Sequence, residues 1–254
     1  MIFHSLCGDG AARVIVLHDW SASCEGDYAA VRPYLAEDQL TIAFADLRGY
    51  GGSIAMDGDF TLDEISKDVA DLADGLGWDT FSLIGHSMTG MAVQRMMVDM
   101  PDRLIRVVAT VPIPASGFPL DAETFAFFES MASDDDAFKQ GMHALTSGRY
   151  GNEWASYKLT QNRCGVAGRA MKAYTTMWSK TDFSEAAAGS ETPILVVFGE
   201  YDNEGLRQSA TGGLFESWYP NLQVHVCASG HYPMQETPVD YAHVIQDYLL
   251  DASG

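Results

Sequence analysis

Five short runs of apolar, largely β-branched residues most constrain what this chain can fold into. They are RVIVLHD from Arg13, LTIAFADL from Leu40, TFSLIGHS from Thr80, RVVATVPIP from Arg106 and PILVVFGEYD from Pro193. A strand that alternates apolar and polar residues keeps one face wet. One that is apolar throughout is covered on both faces, as in a parallel sheet. A sixth run, LQVHVCASGH from Leu222, alternates more. Helical patterns lie between the runs. In FTLDEISKDVADLADGLGW the apolar positions Leu62, Ile65, Val69, Leu72 and Leu76 recur at three and four, giving one apolar stripe with acids opposite, and Gly77 follows as a stop signal. MAVQRMMVDMPDR and DYAHVIQDYLLDA read as helices too. Strands and helices in alternation, joined by short connections, predict an α/β domain.

The alternation breaks between about Gly117 and Gly189, a stretch far longer than an ordinary connection. It reads as several helices, including DAETFAFFESMA, NEWASYKLTQNR and AGRAMKAYTTMWSK. The expected organisation is a core of residues 1–116 and 190–254, with a helical cap inserted over 117–189. Most of the cap's Phe, Met and Trp side chains are expected to pack against one another. Trp154 and Trp178 are the ones assigned to a pocket wall, since large aromatic side chains line apolar sites.

Composition narrows the function. Over 254 residues, 47% are hydrophobic and 20% charged, as in a globular protein with a sizeable core. The net charge of −20 repels phosphate backbones, so neither nucleic acid nor an anionic membrane is an expected partner. The first twenty residues lack the pattern of a signal peptide, and no apolar stretch approaches a membrane span. Cys7, Cys24, Cys164 and Cys227 are scattered without a C-x-x-C pair. They read as reduced thiols of a cytoplasmic protein, with no metal site expected.

The chemistry gathers around LIGHSMTGM, Leu83 to Met91. Strand, Gly-x-Ser and helix in that order can hold a serine on a sharp turn with its hydroxyl exposed, and the helix N-terminus favours negative charge developing there. A capping serine gives a similar pattern. Two downstream segments favour the nucleophile. VVFGEYDNEG puts Asp202 just beyond a strand, and CASGHYPMQETP puts His231 in the loop after the last strand. Three such groups, beyond the C-terminal ends of separate parallel strands, would meet at one edge of the sheet.

With the order Ser87, Asp202, His231, the chain resembles the α/β-hydrolases over nearly its whole length. VIVLHDW, FADLRGYGGS, LIGHSMTG, VFGEYD and SGHYPMQETP carry the resemblance. It implies the α/β-hydrolase fold, a mostly parallel central sheet with helices on both faces and the cap inserted late in the chain. It also implies acyl transfer without a cofactor: Ser87 attacks a carbonyl, His231 takes its proton, and Asp202 orients the ring. The backbone N–H groups of Met88 and Trp20 are the implied oxyanion hole, and Trp20, Trp154, Trp178 and Tyr232 are assigned to substrate. The sequence departs from the family pattern at two places. Thr89 stands where Gly-x-Ser-x-Gly has its second glycine, which predicts a slightly altered elbow. Asp19 follows His18 where the family has His-Gly, and its carboxylate is expected to turn away from the oxyanion.

The expected activity is hydrolysis of a carboxylic ester or lactone through an acyl-serine, on a small, largely apolar acyl substrate. Hydrolysis of a carbon–carbon bond in a β-diketone-like substrate is the alternative within the fold, and a non-catalytic ligand receptor is the alternative outside enzymology. The resemblance permits a homodimer. A serine at position 87 argues against the dehalogenase and epoxide-hydrolase chemistries of the family, which use a carboxylate nucleophile.

Overall fold

In the computed structural model, which describes residues 1–251, seven strands form one sheet. They are β1 (His4–Cys7), β2 (Ala12–Leu17), β3 (Leu40–Ala45), β4 (Phe81–His86), β5 (Leu104–Thr110), β6 (Ile194–Gly199) and β7 (Leu222–Cys227). Their order is β1-β3-β2-β4-β5-β6-β7, and every neighbouring pair is parallel except β1 with β3. The six expected runs supply β2 to β7. Strand β1 was not among the expected strands: HSLC is short and half-exposed, as an edge strand is, and carries no apolar run.

Every residue of β4 and β6 is buried, so helices cover both faces. These are α1 (Cys24–Tyr28), α2 (Leu62–Gly75) and α3 (Met88–Asp99), then α4 (Ala122–Ser130), α5 (Asp135–Leu145), α6 (Asn152–Gly165) and α7 (Gly168–Lys180). After them come α8 (Ser184–Ala187), α9 (Gln208–Trp218), α10 (Pro233–Glu236) and α11 (Pro238–Leu250). Helix α3 packs on β4 and β5 with α2 and α8 against it, whereas α1 packs on β3 and α10. The predicted stripe of α2 buries Leu62, Ile65, Val69 and Leu72, and the Thr61 side chain caps its start by accepting the Glu64 N–H at 3.2 Å. Helices α4 to α8 all fall between β5 and β6. No helix among the described residues is long and apolar enough to cross a membrane.

Two features of this topology place the site. Strand β2 pairs with β3 on one side and β4 on the other, so the strand order reverses there. Loops leaving neighbouring strands at such a point run in opposite directions and leave a crevice between them. Those loops begin at His18 and Ser87.

The second feature is Gln94, fully buried on α3 with all four hydrogen bonds made. Its Nε2 donates to the carbonyls of Gly90 (2.7 Å) and Ile113 (2.9 Å), and its Oε1 accepts from the Ala115 N–H (3.1 Å) and the Tyr219 hydroxyl (3.0 Å). One amide thus fixes the loop leaving β5 beside the turn at Ser87. Gln94→Leu keeps the volume and strips several buried partners, each worth about 1–3 kcal/mol when left unpaired. It is expected to cost roughly 3–5 kcal/mol of stability, read as a lower urea midpoint at unchanged m-value.

Candidate active site

Ser87 joins β4 to α3 at φ +54° and ψ −110°, a conformation that ordinary residues avoid. Such strain costs of order 1–3 kcal/mol and persists only where the surroundings over-determine it. Here they do. The Ser87 N–H donates to the Thr110 carbonyl at 2.9 Å, and its own carbonyl accepts from Ile113 (3.1 Å) and Met91 (3.2 Å). The turn also needs close approach on both sides. A Cβ on Gly85 would stand 2.2 Å from the Thr89 carbonyl oxygen, and one on Gly90 would stand 2.7 Å from Pro112 Cβ. Gly90 therefore supplies the tight packing one position later than the family pattern. Thr89, fully buried, adds a tie of its own: its hydroxyl accepts the His86 N–H at 2.8 Å and lies 2.8 Å from the His18 carbonyl.

Asp202 and His231 arrive from the far side of the sheet. Asp202 follows β6, is fully buried, and its Oδ2 lies 2.8 Å from His231 Nδ1. A carboxylate only accepts, so Nδ1 carries the proton, and in the neutral imidazole the lone pair is therefore on Nε2. Oδ1 accepts the Asn203 N–H at 2.6 Å. The nearby acids Glu200 and Glu204 are exposed, so the carboxylate meeting the imidazole is that of Asp202.

The loop carrying His231 is clamped by Glu236, which belongs to the quoted SGHYPMQETP segment but has no role assigned from the sequence. Its carboxylate accepts the N–H groups of Gly230 (2.7 Å) and Tyr232 (3.0 Å) and pairs with Arg149 at 3.1 Å. The His231 N–H donates to the Leu145 carbonyl at the end of α5, so the helical insertion touches this loop directly.

Ser87 and His231 line one cavity of about 350 Å³ together with Trp20, Met88 and Trp178. Among the described residues its wall has no Lys or Arg; its acidic members are Asp19 and Asp121. Trp20 makes edge contacts with Phe128 and Trp178, and its indole N–H donates to the Met171 carbonyl at 2.7 Å. The indole N–H of Trp178 is buried and has no partner among the described residues. The Met88 N–H, in the first turn of α3, has no intrahelical acceptor.

Asp19 turns its carboxylate onto its own loop. One oxygen accepts the N–H groups of Ser21 and Ala22 at 2.8 Å, and the other accepts the Ser21 hydroxyl at 2.8 Å. Trp154 and Tyr232 stand outside the cavity wall. They pack on each other with ring centroids 5.5 Å apart, and Tyr232 is fully buried with its hydroxyl 3.2 Å from Ser21 Oγ. Both were assigned to substrate, and the size of Trp154 does not by itself separate lining from core.

Other polar motifs have structural partners. His18 Nε2 accepts the Leu47 N–H at 3.0 Å, and the Asp46 carboxylate takes the N–H groups of Cys24 (3.0 Å) and Gly52 (2.9 Å). Arg48 forks onto Asp68 at 2.7 and 2.9 Å, which leaves no free guanidinium for a phosphate. Two groups have donor types suited to a metal: His225, Cys227 and Asp240 near β7, and the buried set Asp19, Asp27 and His86. In the second, Lys158 already stands 3.5 Å from Asp27 as the cationic partner.

The comparisons with known proteins agree with this architecture. A family model described as "Alpha/beta hydrolase family" matches residues 14–244. A fluoroacetate dehalogenase from a Burkholderia species is 25% identical, over 96% of this chain and 89% of its own. A bifunctional esterase/perhydrolase from Acinetobacter calcoaceticus is 26% identical over 79% of this chain and 78% of its own. The crystal structure of a bromoperoxidase from Bacillus anthracis superposes with a TM-score of 0.87 at 21% identity, covering 98% of this chain and 95% of that one. By its sequence match and its seven-stranded sheet, this chain belongs to the alpha/beta hydrolase family.

Proposed function

We propose that this protein is a serine hydrolase of carboxylic esters or lactones, working through an acyl-serine intermediate with the helical insertion as its lid. The observation that carries this reading is the strained, clamped backbone of Ser87, in the same cavity as a His231 whose Nδ1 is held by buried Asp202. The Nε2 lone pair left by that arrangement is what a general base needs. Ser87 Oγ attacks the carbonyl carbon while His231 takes its proton, and Asp202 stabilises the imidazolium. The N–H groups of Trp20 and Met88 receive the oxyanion. Collapse of the tetrahedral intermediate expels the alcohol, protonated by His231. Water, activated by the same imidazole, then releases the acid.

Ser87 also separates this reading from the chemistry in the name of the fluoroacetate dehalogenase relative. Displacement of fluoride from an sp³ carbon by a serine would leave an ether, which water does not cleave under these conditions. A carboxylate nucleophile would leave an ester, which can turn over. The cavity wall, with Asp121 and no Lys or Arg, is equally unsuited to a carboxylate substrate. The substrate class is therefore neutral, small to medium in size and largely apolar.

Fluorophosphonate labelling read by intact mass tests the nucleophile. One adduct is expected on the wild type and none on Ser87→Ala or His231→Ala. Unchanged ester turnover by Ser87→Ala would overturn the reading, as would a folded wild type that takes no label and binds esters without cleaving them. Turnover is expected to fall about 10⁴-fold or more in Ser87→Ala and His231→Ala, and about 10³- to 10⁴-fold in Asp202→Asn, which admits the wrong tautomer.

A further inference from the structure

The one fully buried lysine of the insertion lies behind this cavity, not in its wall. Lys158, on α6, is wholly inaccessible, and its Nζ has no hydrogen-bond partner among the described residues. It stands 3.5 Å from Asp27 Oδ1 and 4.1 Å from the centroid of the Tyr232 ring. A side chain of this kind leaves water only where a counter-charge receives it. That charge is on α1, so the pair joins the insertion to the core.

The other oxygen of Asp27 does two things. It accepts the Asp19 N–H at 2.7 Å, one residue before Trp20, and it lies 3.0 Å from His86 Nδ1. The second nitrogen of His86 lies 2.7 Å from the backbone carbonyl of His231. Carboxylate and carbonyl both only accept, so His86 must present a proton on each nitrogen and is an imidazolium. Burial opposes a charge on this ring, but the charge and hydrogen bond of Asp27 outweigh it and raise the His86 pKa. Burial likewise opposes ionisation of Asp27, and His86 with Lys158 holds its carboxyl below the usual range. Two buried carboxylates, Asp19 and Asp27, thus face two buried bases, and Asp27 reaches three segments at once.

We propose that Lys158 is a positioning residue that, through Asp27, sets the loops carrying the Trp20 N–H and His231, so that acyl transfer at Ser87 runs at full rate only with α6 docked on the core. This rests on the serine-hydrolase reading. The contact is ionic and ring-directed, without a hydrogen bond of fixed geometry, so what Lys158 supplies is charge. Without it, two carboxylates are left with one cation behind the place where the oxyanion forms. The cost then falls on the transition state more than on ground-state binding.

The test is steady-state hydrolysis of one accepted ester by wild type, Lys158→Met and the double variant Lys158→Met/Asp27→Asn, each normalised to the serine titrated by fluorophosphonate. Thermal midpoints are measured alongside. Lys158→Met is expected to lower kcat about tenfold or more with KM within about threefold, as misplacement of catalytic groups does. The double variant, which buries no uncompensated carboxylate at position 27, is expected to regain the thermal midpoint and leave kcat low. Wild-type kcat per titrated serine in Lys158→Met overturns the proposal, since the ion pair would then serve stability alone. If Lys158→Met does not fold, wild-type kcat in the double variant overturns it equally. Ser87→Ala, run in parallel, keeps the two readings apart: an active Ser87→Ala defeats the serine mechanism, whereas an inactive one beside fully active Lys158 variants defeats only the role of Lys158.

Discussion

The backbone of Ser87 is the constraint on which the rest of the molecule converges. A residue at φ +54° has no local reason to stay there, so three backbone hydrogen bonds, from the end of β5, the loop after it and the first turn of α3, impose the conformation. Those bonds require β4 and β5 in parallel register, α3 directly behind them, and the loop at 111–116 held in place by Gln94. The sheet, the helix and the buried amide are thus parts of one device. Strain at one residue is matched by redundancy in its neighbours.

The insertion is built into that device as well as covering it. It places Trp178 and Phe128 on the cavity wall, the Leu145 carbonyl on the His231 N–H, and Lys158 against Asp27. These contacts reach the cavity from its rim, from its histidine loop and from behind. The histidine-loop contact and the Lys158–Asp27 pair tie the helices to the core at two places besides the cavity wall.

The parts that a linear reading recovers are those whose signal is local. Continuous apolar runs gave away β2 to β6 because burial on both faces leaves its mark on consecutive residues, while β7 showed as an alternating run and is largely exposed. The order of Ser87, Asp202 and His231 was readable because each follows a strand end. Strand β1 escaped because HSLC is half-exposed and owes its place to pairing with β3. Lys158 sits in NEWASYKLTQNR as one more polar helical residue, and Asp27 in SASCEGDY as one more acid of a chain rich in them. Only the fold brings these two, 131 positions apart, within 3.5 Å. Trp154 and Tyr232 were assigned to substrate; in three dimensions they pack on each other outside the cavity wall.

A cavity wall without Lys or Arg bears on how a product would leave. On the serine-hydrolase reading, a neutral ester enters and a carboxylate leaves. The product is thus born in a cavity whose wall, among the described residues, has no Lys or Arg and includes the exposed Asp121, inside a protein whose formal charge is −20. The field that is indifferent to the incoming molecule pushes the outgoing one toward solvent. On that reading, expulsion of this kind keeps end-product inhibition weak. It is screened by salt, so the same acidic surface ties the kinetics of release to the ionic strength around the protein.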